Sequence, residues 1–101
     1  MTAVESLSAV DGEPHATVFP DTEPKTVRLT LAAGESVPSH THPGRQIVCY
    51  LRTGRLELTV GEETTTLIEG DVARFSDEKA VSPTAVEDSV ALLVLAPAAE
   101  D

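Results

Sequence analysis

The chain has 101 residues, enough for one domain core and too few for two. It is 41% hydrophobic and 24% charged, with 17 acidic against 7 basic residues and a formal net charge of −10. That balance fits a globular fold and excludes binding to nucleic-acid backbones or anionic membranes, which need clustered cations. Only Phe19, Phe75 and Tyr50 are aromatic, so the core must be aliphatic and base-stacking platforms are scarce.

Residues 1–14 are small, polar and acidic and read as a loosely held lead-in, with a short strand expected near Val4 to Val10. They have no basic n-region and no sustained apolar run, so no signal peptide is expected. No segment reaches the roughly 18 consecutive apolar residues of a membrane span. The expected compartment is the cytoplasm, and a single cysteine, Cys49, which cannot form an intrachain disulfide, agrees with it. High acidity with only two lysines, Lys25 and Lys79, resembles proteins from salt-accumulating organisms.

From His15 onward, short β-rich runs follow one another at intervals of about 8–12 residues, the spacing of an all-β sandwich or barrel. The runs are HATVF, KTVRLTL, RQIVCYL, RLELTV, TTTLIE, DVARF and SVALLVLAP. Gly, Pro or Asp marks each interval, including SDEKAVSP, which reads as a loop. In RLELTV, Leu56, Leu58 and Val60 share one face while Arg55, Glu57 and Thr59 share the other, so that strand is half buried. IVCYL and ALLVL are apolar on both faces, as expected in the middle of a sandwich or at a subunit contact, and a homodimer is expected through one of them. The barrel is placed at residues 15–97, and the tail at 98–101 is expected to fray.

The stretch GESVPSHTHPGRQIVCYLRTG carries Gly34, then five residues, then His40 and His42 around one threonine. Residues i and i+2 of a strand share a face, so both imidazoles can turn to one ion. With Gly54 beyond them, and with LIEGDVARF and VEDSVALLVLAP downstream, the chain resembles a small single-domain cupin over roughly residues 25–97. The resemblance implies an all-β, double-sheet jelly-roll barrel. It also implies a divalent metal (Zn, Mn, Fe or Ni) held by His40, His42, a glutamate and a second-motif histidine.

The glutamate is absent. Counting forward from His42 puts Gln46 in its place, and counting back from Gly54 puts Ile47 there. Ile47, Cys49 and Leu51 form an inward set matching Leu56, Leu58 and Val60, which turns Gln46 outward unless a bulge near Gly44 restores it. In the second motif Ser76, Glu78, Val81 and Ala85 replace Pro, Gly, His and Asn, so the third histidine is missing. Candidate metal ligands are therefore His40, His42, Gln46 and Cys49, with His15 as a distant alternative.

Each residue also has a plainer reading: Cys49 as a small buried hydrophobe, His15 as a rim residue, Gln46 as a turn cap, and His40 and His42 as polar residues of a barrel mouth. Arg28, Arg45, Arg52, Arg55 and Arg74 could line an anion pocket, but more often such arginines pair with surface carboxylates. Glu62-Glu63 and Asp77-Glu78 sit at turns and are expected to be solvated. The leading expectation is a metal-binding cupin. If it is an enzyme, the resemblance implies dioxygenase or isomerase chemistry. The alternative is a non-catalytic barrel holding a small molecule as a sensor or regulator, and the weakest is a purely structural protein.

Overall fold

The computed structural model describes residues 2–39, 41, 43–76 and 79–97. Eight strands follow one another: β1 (His15–Thr17), β2 (Lys25–Leu31), β3 (Arg45–Thr53), β4 (Arg55–Val60), β5 (Glu63–Ile68), β6 (Val72–Ser76), β7 (Val81–Ala85) and β8 (Ser89–Pro97). All pairings are antiparallel. They form a five-stranded sheet in the order β1-β2-β8-β3-β6 and a three-stranded sheet in the order β5-β4-β7. The expected double-sheet jelly roll is therefore the fold.

One core joins the two sheets. Leu31, Cys49, Leu51 and Ala91 of the larger sheet pack with Leu56, Leu58, Leu67 and Ala85 of the smaller. These positions alternate with exposed ones along β3 and β4, as period-2 side chains require. The chain passes from one sheet to the other through a single residue, Gly54, between β3 and β4. Gly54 has φ +96°, and a Cβ there would lie 2.3 Å from Ser89 Oγ and 2.4 Å from the Asp88 carbonyl oxygen. Only glycine fits. Ser89 is buried and its hydroxyl is satisfied: it accepts from the Arg55 N–H at 3.1 Å and can donate to the Glu87 carbonyl at 2.8 Å.

Two segments depart from expectation. The strand expected near Val4 to Val10 is absent, and a single 3-10 turn forms over Leu7–Ala9 instead. Arg28 points out of the larger sheet and donates from Nη1 to the Leu7 carbonyl (2.7 Å) and from Nη2 to the Gly12 carbonyl (2.9 Å). The lead-in is thus a strap tied to β2. Strand β7 lies where SDEKAVSP read as a loop. Its Pro83 discourages a strand assignment, yet β7 is an edge, and the Pro83 carbonyl faces outward to accept from the Val37 N–H at 3.0 Å. The N–H that proline lacks would point to that same edge, so the ladder with β4 loses nothing.

Outside the strap, the outer face of the larger sheet exposes Val48, Tyr50 (39%) and Val72 (63%) beside the polar Gln46 and Arg74. Among the described residues, the outward positions of β2, β3, β6 and β8 carry no carboxylate. No described helix is long and apolar enough to cross a membrane. The expected fraying at 98–101 concerns residues outside the described ones.

Candidate functional site

Away from Gly54, a cavity of about 240 Å³ lies between the two sheets. Val27 and Leu29 of β2, Ile47 and Cys49 of β3, and Leu93 and Leu95 of β8 form its larger-sheet wall. Leu56, Leu58, Val81 and Pro83 face them from the smaller sheet, and Phe75 of β6 closes one side. Polar groups are confined to the rim, where His15, Thr17 and Lys25 stand on β1 and the start of β2. The rim strand β1 is an edge of the five-stranded sheet.

His40 and His42 lie outside the described residues, between Val37 and the start of β3. Gln46 is half-buried and pairs with Ser76 and Ala96, on the face of β3 opposite to Ile47 and Cys49. The strand keeps regular register from Arg45 to Leu51, and its irregularity falls at Leu51/Thr53, so no bulge turns Gln46 inward. Cys49 is 1% exposed, on the cavity wall, and burial pushes its thiol up from an ordinary value near 9.0 to about 11. It is protonated at neutral pH, which suits neither a nucleophile nor a ready metal ligand.

Ile47, reached by counting back from Gly54 to the glutamate position, and Val81, reached by counting on from Gly70 to the second-motif histidine, are both buried and both on the cavity wall. Among the described residues no group of three or more His, Cys, Asp or Glu is placed to hold a metal ion. The described donors therefore do not fit a metal site built from three or four protein ligands. The arginines do not line the cavity either: Arg28 ties down the strap, and Arg45 pairs with Glu23 and donates to the Leu95 carbonyl.

His15 stands at the rim, as its plainer reading expects, and Thr17 and Lys25 line the same rim without having been expected there. A signal was available for Lys25, one of only two lysines and two residues before the inward Val27.

Two antiparallel sheets around a central cavity define a double-stranded β-helix. The cupin domain model matches residues 27–95, and the chain belongs to the cupin family. Among solved structures, a protein described as a predicted oxalate decarboxylase from Thermotoga maritima superposes with a TM-score of 0.82 at 17% identity, over 95% of this chain and 100% of the other. An uncharacterized conserved protein with a double-stranded β-helix domain from Klebsiella pneumoniae gives 0.79 at 19% identity, over 96% and 91%. An RmlC-like cupin from Desulfovibrio desulfuricans gives 0.76 at 24% identity, over 96% and 97%. At such identities the likeness establishes the fold. No curated protein matches the sequence.

Proposed function

We propose that this chain is a non-catalytic cupin that holds a small, mainly apolar molecule in the open end of its barrel. The supporting observation is the 240 Å³ cavity, with Ile47 and Val81 at two of the positions where the family pattern has metal ligands. Such a wall gains roughly 25 cal/mol for each Å² of apolar surface removed from water. It offers no carboxylate among the described residues for acid–base work. The volume lies below the roughly 300–1,000 Å³ of sites for drug-sized ligands, so the ligand is small.

The test is a thermal-shift and NMR screen of small aliphatic and aromatic compounds against the intact chain and Val81→Phe. A ligand at about 100 times its Kd adds about 2.7 kcal/mol, several degrees in melting temperature for a domain of this size. Val81→Phe should fill the cavity and abolish the shift while the fold persists. Hits that bind both forms alike would place the ligand elsewhere.

The Gly34, His40, His42 spacing supports a second reading, a divalent metal (Zn, Mn, Fe or Ni) on the two histidines with water or the ligand completing its shell. Near-stoichiometric metal that disappears in a His40→Ala/His42→Ala variant would favour it, and no uptake after soaking would exclude it. The homodimer belongs to the same proposal. A chain of charge −10 associates with itself most easily through a surface without carboxylates, and the outer face around Tyr50 and Val72 is such a surface. Val72→Glu should then yield a monomer by light scattering, and an unchanged mass would move the contact elsewhere.

A further inference from the structure

We infer that the barrel ligand is a small organic carboxylate, with its apolar body in the cavity and its anionic head at the rim formed by His15, Thr17 and Lys25. This inference rests on reading the cavity as a ligand site, and it adds the chemical class of the ligand. The placement follows from register. His15 pairs with Leu29, Thr17 with Val27, and Lys25 with Leu95, and all three partners line the cavity. Side chains at paired positions share a face, so Lys25, Thr17 and His15 all turn to the cavity side of the larger sheet, with Thr17 between the other two along the ladder.

Charge selects the ligand class. A chain of net charge −10 repels anions at long range, and one of its two lysines stands at the mouth of its apolar cavity. The nearest carboxylate along the chain, Glu23, is engaged by Arg45. Among the described residues Lys25 takes part in no ion pair. An ammonium with three donors beside a hydroxyl suits a carboxylate; the chain's own Asp21 and Glu23 share with Lys25 and Thr17 a separate surface groove, and no carboxylate lines the described cavity itself. A cationic ligand would meet Lys25 as a like charge, and a neutral one would leave it unused.

The experiment measures, by titration calorimetry on the chelator-treated chain, the Kd of carboxylates with four- to eight-carbon branched or phenyl bodies against their matched amides. The same series is run on Lys25→Gln, a substitution at an exposed position that keeps the fold. Carboxylates should bind about tenfold more tightly than their amides, and the advantage should fall to about twofold or less in Lys25→Gln. Amides binding as tightly as acids, or an acid preference that survives in Lys25→Gln, would overturn the inference and leave the cavity a ligand site. Binding of neither series would overturn both readings.

Discussion

The two ends of the barrel are built from the same strands and do different work. Near Gly54, β3, β8 and β7 bring Leu51, Ala91 and Ala85 together at 0–1% exposure, and Ser89 has its hydroxyl bonds filled. A few residues further along, Ile47 and Leu95 on the same strands are almost as buried but face a cavity. The closed end carries stability, because contact density sets the dispersion and transfer terms. The open end gives up contacts and gains room for a guest.

This contrast breaks most visibly at Gly54. Gly54→Ala sets a Cβ against the Asp88 backbone at positive φ, and should cost about 4 kcal/mol or more in denaturant unfolding. A loss below about 1 kcal/mol would show that the β3–β4 junction yields easily. Leu51→Ala should cost about 3–4 kcal/mol, while Ile47→Ala, beside space that already exists, should cost about 1–2 kcal/mol and weaken small-ligand binding. Equal losses at the two positions would remove the distinction between the ends.

Cys49 sits between the two ends and reports on the dryness of the wall. Its folded thiol titrates near 11, above its unfolded value near 9.0, so the folded state binds the extra proton and stability falls as pH rises between those values. The loss should reach about 2 kcal/mol at pH 11 and be absent in Cys49→Ala. A flat profile in the parent protein would mean that water reaches the thiol. The smallest effect belongs to the rim: Lys25→Gln and Thr17→Val should each change stability by no more than about 0.5 kcal/mol.

Much of this architecture was readable from local pattern. The alternation in RLELTV gave the inward set of β4, and the two-sided apolar run IVCYL marked β3 as central, because period-2 burial leaves its imprint on consecutive residues. The same face argument preferred Ile47 over Gln46 as the inward residue, and the regular register from Arg45 to Leu51 agrees with it. Strand β7 escaped because Pro83 signals a break, and only its position at an edge, with Val37 as the neighbour of its carbonyl, makes the proline harmless. The strap escaped because a buried arginine in the middle of KTVRLTL gives no hint that its partners are carbonyls 16 and 21 residues away.

By itself, then, the sequence determined the β-rich class, seven of the eight strands, the glycine turns, the family resemblance and the loss of two of the family's metal-ligand residues. These follow from residue type and spacing, which are local. The tertiary structure alone decided that β8 inserts between β2 and β3, that Ile47 and Val81 share one cavity, and that His15, Thr17 and Lys25 line its mouth. Strand order and register arise from contacts between residues far apart in the chain. A cavity is defined by contacts that are not made, and no run of neighbouring residues encodes that.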